Sequence, residues 1–263
     1  MDQVLAAFWA APPVSRTITA LTLVQSVLVY GGVLSGYYVV FWPGRIFKLF
    51  PEIWRFVTPF LLTGPKLSFF FDLYFMYHYG SQLETSSSRM SQPGDFFIYL
   101  IFVAFSIMLT AGFVLEMPVF ISALTMAFIY TYAQENRGKQ TMLWFVKMRM
   151  EFLPWAMLLV TLVMNGTSGV LLELTGIVAA HLYDFLTRIY PTFGGGRNYI
   201  TTPIAVRRFF ARHTPNLGNR GYGTAFNASQ QPQQSSQSSS RGWTSSIQNP
   251  WSGRGAGRRL GGD

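Results

Sequence analysis

Between Arg16 and Arg45 the chain runs for 28 residues without a charged side chain. Two further runs, 20 residues from Asp95 to Glu116 and 18 from Glu116 to Glu135, are equally bare. A hydrocarbon slab about 30 Å thick, crossed at about 1.5 Å per helical residue, calls for stretches of that length. Three spanning helices are predicted there. Another is predicted from Leu67 to Leu83, rich in Phe and Tyr but carrying Asp72 and His78. After Glu151 come 21 uncharged residues interrupted by Asn165-Gly166-Thr167-Ser168-Gly169, a turn signal. That interruption predicts a short fifth helix, Phe152–Met164, and a sixth, Val170–Tyr190. Half of the 263 residues are hydrophobic and 12% are charged, so the expected fold is an all-α membrane protein with six transmembrane helices in residues 1–191.

An even number of spans puts both termini on one side. The linker between helices four and five carries Arg137, Lys139, Lys147 and Arg149, and the tail carries nine Arg, so the positive-inside rule assigns both termini to the cytosol. Arg45, Lys48, Arg55 and Lys66 in the first loop break that rule, which points to contacts made there. Residues Val4–Ala10 read as a short interfacial helix closed by Pro12-Pro13, and the first long apolar run exceeds a cleavable signal, so helix one is expected to be an uncleaved anchor. From Thr192 the composition turns to Gly, Ser, Gln, Asn and Arg, with a low-complexity core at Gln230–Ser240. Such a segment buries too little apolar surface to fold alone, so 192–263 is expected to be a disordered basic cytosolic tail. Its early part, with Arg207, Arg208 and Arg212 beside Phe209 and Phe210, suits anionic headgroups or water equally. Without cysteine, and with three scattered His, no metal site or cofactor is expected.

Ionisable groups inside spans are expensive and mark candidate sites. Asp72 has no partner that the sequence identifies; Asp184 and Arg188 are spaced to pair at i, i+4. Gly176 and Ala180 form a small-xxx-small pattern, which lets helix backbones approach closely, and His181 follows directly. Gly166-Thr167-Ser168-Gly169 imitates an intramembrane serine protease signature. Ser168 and His181, however, stand 13 residues apart on nearly one axis, about 20 Å, too far for a nucleophile and its base. Ser122 in helix four faces helix six better but lacks flanking glycines for an oxyanion hole. No catalytic residue is assigned. Pro51–Phe60 sets Trp54 and Arg55 beside Phe56 and Phe60: Trp favours the membrane boundary, Arg can snorkel to phosphates, and two prolines prevent a spanning helix. That loop is expected to touch lipid.

Taken in order, Pro12-Pro13-Val14-Ser15-Arg16, Trp54-Arg55, Leu73 to Tyr79 leading to Leu83-Glu84, and Gly176 to His181 followed by Tyr183-Asp184-Phe185 resemble the Derlin family, inactive relatives of the rhomboid proteases, over roughly residues 4 to 191. Trp54-Arg55 corresponds to the family's loop motif, and Gly176 with Ala180 to its helix-six GxxxG, Ala replacing the second Gly. The resemblance implies a rhomboid-like pseudoprotease of the endoplasmic reticulum membrane in ER-associated degradation. It would bind misfolded proteins and assist their retrotranslocation to the cytosol. Substrate would enter by loop one and a gap between helices two and five, and the 13-residue fifth helix, only about 20 Å long, would thin the bilayer beside it. Implied partners are a membrane ubiquitin ligase complex, a valosin-type AAA ATPase, misfolded clients, lipid, and further copies or other chains as oligomer. Gly255, Gly257, Arg258, Arg259 and Leu260 are similar to the SHP box with which some Derlins bind that ATPase. An RNA-binding Gly- and Arg-rich tail is the alternative at that motif, although nucleic acid is not the expected partner. Competing readings for the whole chain are an active rhomboid-type protease and a small-solute transporter or channel, the latter calling for internal repeats that the sequence does not display.

Overall fold

The computed structural model describes residues 8–46, 52–90, 92, 94–143, 146–193 and 200–213. They form a mainly helical body. The first helix, α1 (Pro13–Tyr30), opens on proline at its first position, where the missing N–H is no loss. It closes at Gly31 and Gly32, the second with φ of 76°, a left-handed turn that glycine adopts without strain. Its N-terminus carries no cap of its own. Glu84, near the end of α2 (Leu67–Ser86), supplies one: its carboxylate accepts the backbone N–H of Val14 (2.9 Å) and Ser15 (2.7 Å) and the Ser15 hydroxyl (2.7 Å). An anion at the positive end of α1 is thus held by a residue about seventy positions away. The ordered motifs around Pro12–Arg16 and Leu83-Glu84 are one structural unit.

α3 (Asp95–Ile107) continues into a wider π turn over Met108–Val114. Gly112 sits in that turn because a Cβ there would stand 2.7 Å from Phe41 and 3.0 Å from Phe120. The centre of the body is α4 (Ile121–Glu135), buried from Ala123 through Ile129 and again at Thr131 and Ala133. Its Thr131 hydroxyl and Ala127 carbonyl meet the buried Tyr99 hydroxyl of α3 at 2.7 and 3.1 Å.

Among the described residues two stretches are long and apolar enough to cross a membrane: Asp95–Val114, with mean hydropathy 2.4 over its 18-residue window, and the 44 residues of Met150–Phe193, with 1.7. The second is no straight rod. Gly166 has φ 71° and ψ −166°, a region open essentially to glycine alone. The Thr161 hydroxyl donates to Glu173 at 2.7 Å, although a straight helix would hold residues twelve apart at about 18 Å. The chain therefore doubles back at Gly166, giving two arms, α5 (153–165) and α6 (167–184), packed together beside the apex. The turn read at 165–169 falls on this reversal.

Two features depart from expectation. The linker after α4 is a hairpin, β1 (Gln140–Leu143) against β2 (Val146–Arg149), paired antiparallel from Gln140 with Arg149 to Leu143 with Val146. The packed residues also extend past the boundary expected at 191/192. The last described helix, α7 (Ile204–His213), lays Phe210 on Phe97 of α3 with ring centroids 5.5 Å apart, and Val206 fits against Gly94. Val206 and Phe210, one turn apart, give that basic helix an apolar stripe to bury. The interfacial segment expected at Val4–Ala10 lies mostly outside the described residues, as do Gln230–Ser240 and the tail motif at Gly255–Leu260.

Candidate functional site

Loop one is a braced structure. Two short helical turns, Ile53–Phe56 and Thr58–Phe60, carry its four expected contact residues. Trp54 is exposed and donates its indole N–H to the Tyr38 carbonyl at 3.1 Å, so its ring lies on the surface while its polar edge is satisfied. Arg55 differs from expectation. It is fully buried, at 0% exposure, and donates to the carbonyls of Tyr37 (2.8 Å) and Val40 (2.5 Å) and to the Glu52 carboxylate. Its guanidinium also lies 5.6 Å from the Tyr37 ring centroid. A forked cation surrounded by loop carbonyls saves more by binding them than by reaching for phosphate. Arg45 reaches Glu52 at 3.5 Å from the other side. The Arg55 hydrogen bond holds the Glu52 carboxyl below its ordinary range. Phe60 is buried against Phe120 and Phe56 is half-buried, so the face left open by the loop is Ile53, Trp54 and Val57.

On α6, Gly176 faces the backbone of α4: a Cβ there would fall 2.0 Å from the Ala123 carbonyl oxygen. Ala180, one turn on, is also buried. His181 turns outward, exposed, with its Nδ1 3.3 Å from the Tyr130 hydroxyl. Ser168 lies at the opposite end of the same arm. Ser122 is eight residues before Tyr130 on α4, about 12 Å along the axis from the residue that His181 meets. Neither serine is brought to the imidazole by the described hydrogen bonds.

Between α2, α4 and the two arms α5 and α6 lies a cavity of about 400 Å³. Ser122 and Ser168 line it, and so do two acidic residues, Asp72 and Glu173. Asp72 accepts the Gly64 backbone N–H at 2.9 Å, the partner that the sequence did not reveal. Glu173, inside the helix expected at Val170–Tyr190, is buried at 6% exposure. One of its oxygens takes the Thr161 hydroxyl and the other has no partner among the described residues. The sequence did carry a signal for it: Glu173, Gly176 and Ala180 are spaced i, i+3, i+7 and share the inward face of α6.

At the other end of α6, Asp184 pairs with Arg188 (3.0 and 2.8 Å), as its spacing predicts, and with Arg89 (3.1 Å), which also approaches Glu135 at 3.4 Å. The Ser87 hydroxyl donates to Glu135 at 2.6 Å. This cluster joins the ends of α2, α4 and α6 by charge.

Residues 11–204 match the Der1-like family. Human Derlin-1 is 32% identical over 223 residues, covering 82% of this chain and 85% of its own length. Arabidopsis thaliana Derlin-1 is 29% identical over 204 residues, 76% and 75% of the two chains, and Zea mays Derlin-1.1 is 30% identical over 204 residues, 76% and 82%. The matched residues run from before α1 to the start of α7. This chain is a membrane protein of the Der1-like family.

Proposed function

We propose that the chain is a non-catalytic component of ER-associated degradation, a pseudoprotease that receives misfolded proteins and assists their retrotranslocation. Six spans cross the ER membrane, α1 to α6, with both termini in the cytosol and loop one on the lumenal side. The observation that carries this reading is a cavity walled by α2, α4, α5 and α6 that is lined by two carboxyl groups, Asp72 and Glu173. A protein that only anchors itself has no use for two carboxyl groups there. α5, 13 residues and about 20 Å long, is shorter than the hydrocarbon core, so lipid beside it must thin, which lowers the barrier to moving a polar chain. Trp54 sets the depth of loop one at that rim. The tail recruits a valosin-type AAA ATPase through Gly255–Leu260, and a membrane ubiquitin ligase acts on what emerges.

The separation of His181 from Ser122 and Ser168 favours this over proteolysis. The test is a chase of a misfolded lumenal client in cells lacking the endogenous protein, with Trp54→Ala compared against wild type. Slower turnover of full-length client in the variant is expected. Unchanged turnover, or a discrete cleavage fragment that disappears on Ser122→Ala or His181→Ala, overturns the reading.

A further inference from the structure

We infer that the cavity between α2, α4, α5 and α6 is a recognition site for a basic side chain, the lysine ammonium or arginine guanidinium of a polypeptide segment within the membrane. The inference rests on the polypeptide-binding role proposed above and names the chemistry of its substrate.

The described lining of the cavity holds no basic side chain, while Asp72 and Glu173 both line it. Three residues on its wall are more than nine-tenths buried and keep a polar oxygen without a partner among the described residues: Glu173 at Oε2, and Thr63 and Thr125 at Oγ1. They come from three elements, α6, the segment before α2, and α4. Buried polar groups are ordinarily paired, and of these three the Glu173 carboxylate oxygen is the one that can only accept, so it calls for a donor. The missing group brings N–H donors and positive charge, because that oxygen accepts and no cation among the described lining residues faces the two carboxyl groups. An ammonium has three donors and a guanidinium five, with no acceptor on either. The rest of the wall suits the stem of such a side chain. Methionines at 117, 126, 157 and 164 line the cavity, and methionine adapts to apolar chains of differing course. The volume admits one long side chain with attendant water.

A lone basic residue in a spanning segment is itself an unpaired charge in lipid, so the site selects a feature that membrane segments separated from their proper partners expose. Full-length protein in phosphatidylcholine nanodiscs, a lipid without a primary amine, is mixed with a fluorescent leucine–alanine transmembrane peptide bearing one central lysine, or norleucine in its place. The lysine peptide is expected to bind at least about tenfold more tightly, the scale of one charge-assisted hydrogen bond. That advantage should vanish in Asp72→Asn/Glu173→Gln while norleucine binding stays. Treating the wild-type complex with dicyclohexylcarbodiimide should join the peptide lysine to Asp72 or Glu173, which checks the site without a variant. Equal binding of both peptides, an advantage that survives the double variant, or crosslinks confined to exposed Glu116 and Glu151, overturns the inference alone. Loss of the advantage on adding phosphatidylethanolamine assigns the site to a lipid amine and also overturns it. Binding of neither peptide overturns the proposed polypeptide-receiving role with it.

Discussion

Replacing Glu84 by Ala removes the acceptor of three hydrogen bonds, 2.7 to 2.9 Å long, that close the N-terminus of α1. Their donors are badly placed to find substitutes, since Ser15 is fully buried and Val14 nearly so. Each stranded buried donor costs about 1–3 kcal/mol, and losing the anion at the helix end adds about 0.3–1 kcal/mol. Water entering the space left by the side chain recovers part of this. A net destabilisation of about 3 kcal/mol is expected. At about 2–4 °C per kcal/mol for a domain of this size, the midpoint should fall by roughly 6–12 °C. Glu84→Gln keeps the shape and one acceptor but turns an N–H toward donors, so it should lose about half as much. Glu84→Asp, one methylene shorter, should resemble the alanine variant. Apparent midpoints at one scan rate, read from tryptophan fluorescence in one detergent, order the series. Midpoints for all three variants within about 2 °C of wild type would refute the cap as a stabilising element.

Gly176→Ala pushes a methyl into the Ala123 carbonyl, 2.0 Å from the ideal Cβ, and must part α6 from α4. A loss of about 2–3 kcal/mol is expected, read in the same unfolding assay against Gly138→Ala, where nothing lies within 4 Å of the added Cβ. Gly138 has φ of 81°, so its variant carries backbone strain that helical Gly176 does not, and a loss at 176 exceeding the loss at 138 is due to the clash. Gly166→Ala adds a methyl to open space but forces φ of 71° with ψ of −166° on a residue with a side chain. About 1–3 kcal/mol of strain at the α5–α6 apex should appear as faster proteolysis there. The Glu52 carboxyl is depressed by Arg55, so the loop-one brace is present above the ordinary glutamate range and lost as pH falls through the lowered value. Trp54 fluorescence should report that loosening at acid pH, and Glu52→Gln should remove the acid transition.

The helical cores of α1, α3 and α4 were legible as uncharged runs, because a bilayer forbids charge there whatever the packing. The reversal at Gly166 was legible from local turn chemistry, and the tight contact of Gly176 from the absence of a side chain. What escaped depends on which backbone passes nearby. Arg55 is read as reaching outward until the carbonyls of Tyr37 and Val40, set by an irregular stretch, surround it. Glu84 was noted for its place in a pattern, yet its purpose is the N-terminus of a helix far behind it in sequence. Glu173 falls inside the helix expected from Val170, but its partner Thr161 is brought beside it only by the reversal at Gly166. Its spacing to Gly176 and Ala180 would have placed it inward.

The cap on α1 also has a meaning during synthesis. Val14 and Ser15 leave the ribosome long before Glu84, so the first helix emerges with an open N-terminus that its own cap cannot yet serve. That end is closed only when α2 arrives. The first two helices are therefore a single unit of folding, and a nascent chain halted before residue 84 would present a first helix whose N-terminus is still open.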